Sequence, residues 1–217
     1  DAGGEATAIK VDVADEASTE ALVNETVSKY GKLDVFYANA GIPEANLGQT
    51  PLEDVTLESW NKNIAVNLTG AFISTKYATR AMKDTGGAIV VCSSAAGLTA
   101  YPGWTAYTSA KHGVNGFVKV AAQSLGAYGI RINAVCPTHG MSTGFLDGSG
   151  SSKSHEESAG EWDSAGSPIP LKLDRAPTMM DTSKLVLFLA SDDAEYMSGQ
   201  AIGATDGGTL SRVALPF

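Results

Sequence analysis

The stretch "GAIVVCSSAAGLTAYPGWTAYTSAK", residues 87–111, decides the fold. It opens on an unbroken apolar run rich in valine, the pattern of a strand buried on both faces. The run stops at Ser93 and Ser94. A connection carrying Gly97, Pro102 and Gly103 follows, and a helical pattern starts near residue 105. In a parallel sheet with both faces covered, ligands bind beyond the carboxyl ends of the strands. Ser94 therefore stands where chemistry is expected. Tyr107 and Lys111 are four residues apart, on one face of the following helix. A free tyrosine titrates near pH ~10 and is a poor proton carrier at neutral pH. A cation within ~4–6 Å favours the phenolate, and such a pair suits proton transfer to or from a substrate oxygen. The plainer reading is a half-buried Tyr beside a snorkelling Lys.

Outward from this stretch, strand and helix patterns alternate. "TAIKVDV" (7–13) reads as a strand, 16–31 as a helix ended by Gly31, and "LDVFYANAG" (33–41) as a second strand. A long helical pattern covers about 56–84, and Asn67 interrupts it in "AVNLTG". Asn is a poor mid-helix residue, so a local distortion that frees a backbone carbonyl is expected there. A helix over about 105–127 leads to the strand "IRINAVCP" (130–137). A last helix (179–191) precedes "AIGATDGG" (201–208). Alternation of this kind predicts an α/β fold of right-handed βαβ units around a mostly parallel sheet. Residues 143–167, rich in Gly and Ser, read as a mobile substrate loop. Otherwise residues 1–217 read as one domain.

Composition limits the function classes. The 217 residues carry a net charge of −9 with no Lys/Arg cluster, which argues against nucleic acid as a partner. No apolar run approaches the ~18 residues of a membrane span. Cys92 and Cys136 are isolated, without metal-ligand spacing, and read as reduced thiols of the cytoplasm. No metal site is expected.

These motifs, in this order, resemble the short-chain dehydrogenase/reductase family over nearly the whole chain. The resemblance rests on Asp12–Val13, "NAG" at Asn39–Gly41, "VNLTG" around Asn67, Ser93–Ser94, "YTSAK" at Tyr107–Lys111, "RINAVCP" at Arg131–Pro137 and "SGQAIGATDGG" at Ser198–Gly208. It implies a Rossmann-like doubly wound parallel sheet and an NAD- or NADP-dependent hydride transfer between the nicotinamide and a carbonyl or secondary alcohol. By the same resemblance Tyr107 is the general acid/base. Lys111 tunes it and holds the nicotinamide ribose, Ser94 orients the substrate oxygen, and Asn67 fixes a water that links Lys111 to solvent. Asp12 and Val13 flank the adenine, and Asn39, Ala40 and Gly41 let the backbone approach the adenosine ribose. Pro137, Gly140 and Ser142 meet the carboxamide. Ala96, Trp104 and His139 join Ser94 around the substrate, a small alcohol or ketone. A homodimer or homotetramer is implied as well.

Three departures stand out. Thr138 replaces the family's glycine after the proline, and Ala38 replaces the Asn before "NAG". The family's opening strand, its glycine-rich phosphate turn and the second strand are not matched, so the sheet is expected to lack its first two strands with their helices. Weak cofactor binding by this chain follows from that expectation, and NAD is not distinguished from NADP. One alternative is a non-catalytic fragment or a degenerate binding or dimerisation module. Another is a serine hydrolase using Ser142 in "GMSTG", with Asp147 and His155. The nucleophile elbow, however, needs a strand, a sharp turn and a helix, and a Gly/Ser-rich loop follows here instead.

Overall fold

The computed structural model describes residues 3–138, 144–145 and 174–203. Its frame is a four-stranded parallel sheet in the order β1-β2-β3-β4. The strands are β1 (Val35–Ala38), β2 (Gly87–Cys92), β3 (Ile130–Cys136) and β4 (Ala201–Gly203). Val35 aligns with Ala88, Ala88 with Arg131, and Ala134 with Ala201. The helices are α1 (Glu16–Tyr30), α2 (Leu57–Ile64), α3 (Gly70–Met82), α4 (Thr105–Leu125) and α5 (Met179–Ala190).

β2 is apolar throughout and β3 largely so because helices cover both faces of the sheet's middle. Ile89, Val91, Ile132 and Ala134 pack under Ala78 and Met82 of α3 and Val114 and Val118 of α4. Val90 and Val135 turn the other way, onto Leu189 of α5. Each fully buried Ile, Leu or Val of this kind contributes about 1.5–3 kcal/mol. Helix α1 packs outside α3 through Val23, Ile73 and Tyr77. Its start is fixed by Asp15, whose carboxylate accepts from the amides of Ala17 and Ser18.

Two expectations change. Residues 7–13 alternate like a strand, yet they join no ladder among the described residues. A strand is defined by its partner, and this segment is tied to α1 instead. Thr7 bonds the Tyr30 hydroxyl and accepts from Lys29, and the amide of Asp12 donates to Ser18 Oγ at 3.0 Å. The helical pattern over 56–84 is also not one α-helix. A π-helical turn, Ala65–Thr69, separates α2 from α3 and contains Asn67. The distortion expected at that residue is present.

Most of the proposed substrate loop, 143–167, lies outside the described residues, as do His139, Gly140 and Ser142. On its far side Arg175 forms a bidentate pair with Asp181 (both contacts 2.7 Å), and Asp181 also caps α5 at the amide of Thr178. The Arg175 bonds, opposed in part by burial and helped by the Thr178 amide, lower the Asp181 pKa from 3.8 to about 2. A lowered carboxylate pKa means stability that is present above the ordinary value and lost as pH falls through the folded one. Asp181→Asn is therefore expected to cost about 1 kcal/mol at neutral pH, a small figure because the pair is solvent-screened. Thermal melts should show this deficit shrinking as pH is taken from about 4 towards 2. A deficit independent of pH would assign the loss to capping alone.

Candidate active site

Ser94, Tyr107 and Lys111 converge at the carboxyl end of β2. Ser94 follows the strand in extended backbone, and its Oγ accepts from the amide of Ala96 at 3.1 Å. Tyr107 lies in the first turn of α4 and is 7% exposed, and the Ser94 side chain acts on its hydroxyl. Its ring meets Trp104 and Phe145 edge-on, at centroid distances of 5.4 and 6.4 Å. Lys111, one turn further along α4, is buried. Its Nζ donates to the Cys92 carbonyl at 2.8 Å and lies 5.4 Å from the Tyr107 ring centroid. A second contact fastens α4 to β2, where the Ser93 hydroxyl donates to the Lys111 carbonyl.

Burial raises the pKa of the Tyr107 phenol, and the Ser94 bond opposes this only in part. The phenol is thus held in its protonated form. Burial acts in the opposite sense on the Lys111 ammonium, whose pKa it lowers.

Asn67 does not touch Lys111 through a hydrogen bond. Its amide donates to the Ile42 carbonyl (2.9 Å) and to Asn63 Oδ1 (2.8 Å), and its Oδ1 accepts from the Ile42 amide. Gly41 lies between the two residues. A Cβ there would stand 2.8 Å from Asn67 Oδ1 and 3.6 Å from Lys111 Nζ. A side chain at Gly41 would crowd the passage that joins them.

A cavity of about 460 Å³ opens over this group, walled by Asn39, Ala40, Gly41, Pro137, Phe145 and Met179 among others. A smaller one, about 140 Å³, lies between the 11–13 segment and β1 and includes Val13, Asn39 and Ala40. The two cavities share Tyr37, Asn39 and Ala40 in their walls. Asp12 is exposed and lines neither cavity, with one carboxylate oxygen accepting from the Ala14 amide. Ala96 is buried behind Ser94, and Trp104 backs Tyr107; neither lines the larger cavity. Met179, Thr182 and Ser183 of α5 do line it. Sequence reasoning did not find them, because nothing local says that α5 lies over the end of β2.

The loop before α4 is tightly seated. Gly103 has φ +80°, and an added Cβ would stand 1.8 Å from the Gly48 carbonyl oxygen. Gly103→Ala is expected to cost about 2–4 kcal/mol and to lower Tm by roughly 5–15 °C. A melt indistinguishable from the wild type would show that this contact does not constrain the folded protein.

Comparisons with known proteins agree on one family. The family model described as enoyl-(acyl carrier protein) reductase matches residues 1–209. The trans-4-hydroxycyclohexanecarboxylate dehydrogenase of Sinomonas cyclohexanicum is 37% identical over 207 residues, covering 92% of this chain and 69% of that protein. The short-chain dehydrogenase reductase 5 of Arabidopsis thaliana is 37% identical over 201 residues, covering 92% and 73%. Among solved structures, ElxO with NADP bound superposes with a TM-score of 0.76 at 33% identity, covering 93% of this chain and 77% of that one. A family model over nearly the whole chain and relatives of this identity and coverage settle the kinship: the chain belongs to the short-chain dehydrogenase/reductase family of oxidoreductases.

Proposed function

We propose that the protein is an NAD- or NADP-dependent oxidoreductase that interconverts a secondary alcohol and a carbonyl compound, with Tyr107 as the acid/base. The observation that carries this reading is that Ser94 and the buried Tyr107 and Lys111 line one cavity at the end of β2. The residues present fit the adenine, ribose and nicotinamide parts of a dinucleotide, while the glycine-rich turn for its pyrophosphate is not matched in the sequence. Val13, Asn39 and Ala40 line the smaller cavity, Asn39, Ala40, Gly41 and Lys111 the larger one, and the bare Cα of Gly41 leaves room beside Lys111. Asp12 and Val13 would hold the adenine end, Asn39–Gly41 the adenosine ribose, Lys111 the nicotinamide ribose and Pro137 the carboxamide. When bound, the nicotinamide supplies or accepts the hydride.

This chain's own residues handle the proton and the orientation. Ser94 Oγ and the Tyr107 hydroxyl converge on one substrate oxygen. Ser94 donates a hydrogen bond that holds it, and Tyr107 delivers the proton in the reducing direction or removes it in the oxidising one. Swung from the Cys92 carbonyl towards the ribose, the Lys111 ammonium stabilises the phenolate left behind. Asn67 holds the loop at Ile42 and, through the passage beside Gly41, orders a water on the Lys111 side. Phe145 and Met179 exclude bulk water and favour a substrate with an apolar body.

Two broader readings belong to the same proposal. Leu57, Phe72 and Val120 are exposed apolar residues of α2, α3 and α4, a surface that suits a homo-oligomer. Free Cys92 and Cys136 suit the reducing cytoplasm. Ser142 and the other residues of the hydrolase alternative lie outside the described residues, and kinship with oxidoreductases favours hydride transfer over that reading. The test is to incubate the protein with NAD⁺ or NADP⁺ and a panel of secondary alcohols. Absorbance of reduced nicotinamide should appear. No turnover with any alcohol or ketone, together with no dinucleotide binding by calorimetry, would leave the non-catalytic reading.

A further inference from the structure

Glu44 is a carboxylate only 3% exposed, and the reaction above does not use it. Its Oε2 accepts from the backbone amide of Tyr107 at 2.8 Å. The first amides of an α-helix have no partner within the helix. Tyr107 is the third residue of α4, whose amide is ordinarily served by the N-cap side chain. In α4 the N-cap is Trp104, which makes no side-chain capping bond. Glu44, 63 residues earlier in the chain, supplies the acceptor instead, and its charge complements the positive end of the helix dipole.

The loop around Glu44 is fixed on both sides. Ahead of it, Asn67 holds both the amide and the carbonyl of Ile42, and Asn63 donates to the Pro43 carbonyl at 3.0 Å. Behind it, Asn46 and Leu47 adopt left-handed backbone (φ 50° and 49°), and Gly48 lies against Gly103 and Trp104. A hydrogen-bonded path therefore runs from Asn67 through the 42–44 loop to the amide of Tyr107.

We infer that Glu44 is a positioning residue, which sets how α4 presents the Tyr107 hydroxyl to Ser94 and ties that setting to the loop following Asn39–Gly41. This rests on the reading of Tyr107 as the acid/base. A cap that served stability alone would change Tm but not turnover at saturating substrate.

The test uses Glu44→Gln, Glu44→Asp and Glu44→Ala, with Tyr107→Phe as a control. Gln keeps the reach and the acceptor, whereas Asp keeps the charge but is one methylene short. Glu44→Gln should stay within about threefold of wild-type kcat. The Asp and Ala variants should lose about 10- to 100-fold in kcat, as expected for a small misplacement of a reacting group. Their substrate KM should hold within about threefold. Hydrogen exchange should show the Tyr107 amide protected like the helix interior in the wild type and exposed in the Asp and Ala variants. This arm needs no variant that folds poorly. In the wild-type enzyme, a Tyr107 amide that exchanges as fast as those of Thr105 and Ala106 overturns the inference. Wild-type kcat in both Glu44→Asp and Glu44→Ala also overturns it. If Tyr107→Phe is inactive while those two variants are normal, only the Glu44 inference falls. If Tyr107→Phe turns over normally, the acid/base reading itself falls, and exchange of the Tyr107 amide still reports on the Glu44 bond.

Discussion

Tyr107→Phe should leave a folded protein with nearly unchanged dinucleotide affinity and a turnover reduced by about 10²- to 10⁴-fold. The substitution removes one oxygen and keeps the ring, whose edge contacts with Trp104 and Phe145 do not need the hydroxyl. Loss of the hydroxyl's polar interaction with Ser94 costs about 1 kcal/mol, and relief from burying a hydroxyl offsets part of it. Stability and activity should therefore separate in this variant. The pH profile gives a second check. Burial raises the phenol pKa, so the neutral form prevails at physiological pH. Reduction, which needs the acid, should be nearly flat there and decline only at high pH. Oxidation, which needs the base, should speed up as pH rises. Both trends should vanish in the phenylalanine variant. Near-normal turnover, or an unchanged pH profile, would remove Tyr107 from the chemistry.

The residues that were legible in the sequence owe it to local causes. Ser94 was legible because an apolar run ends there. The i, i+4 spacing of Tyr107 and Lys111 survives in α4 as a shared face, with both side chains buried near the end of β2. Asn67 was conspicuous because Asn is unsuited to a helix interior, and the π-helical turn that accommodates it is the physical answer. The apolar runs of β2 and β3 likewise predicted strands covered on both faces, which they are.

What was illegible depends on distant partners. "TAIKVDV" has β alternation, but a ladder partner is not a property of the segment itself. Glu44 sits in an unremarked loop, and its role requires an amide 63 residues away whose helix carries Trp104 at the N-cap. Met179, Thr182 and Ser183 reach the cavity only because Leu189 and its neighbours dock α5 across Val90 and Val135. Ala96 and Trp104 were expected around the substrate, Trp104 because it stands just before Tyr107. Neither lines the cavity over Tyr107, and Ala96 is buried.

Lys111→Met separates the two roles proposed for the ammonium. Met matches the length of the lysine stem and packs in the same buried space. Burial lowers the Lys111 pKa, so the folded protein holds this cation at a cost that is fully present below the lowered folded pKa and relieved as pH rises from there to the ordinary lysine value. Removing the charge should therefore hold or raise Tm at neutral pH, even though the Cys92 carbonyl loses its donor. Activity should move the other way. Loss of a charge-assisted bond to the ribose should weaken dinucleotide binding by about tenfold or more. Without a cation to stabilise the phenolate, kcat should fall by about 10²-fold. Titration of the variant with NADH and NADPH measures the first loss, and turnover at saturating dinucleotide measures the second. Unchanged affinity with low kcat would leave Lys111 only its effect on Tyr107. Low affinity with normal kcat would mean that Tyr107 works without it, and that the four-residue spacing serves binding alone.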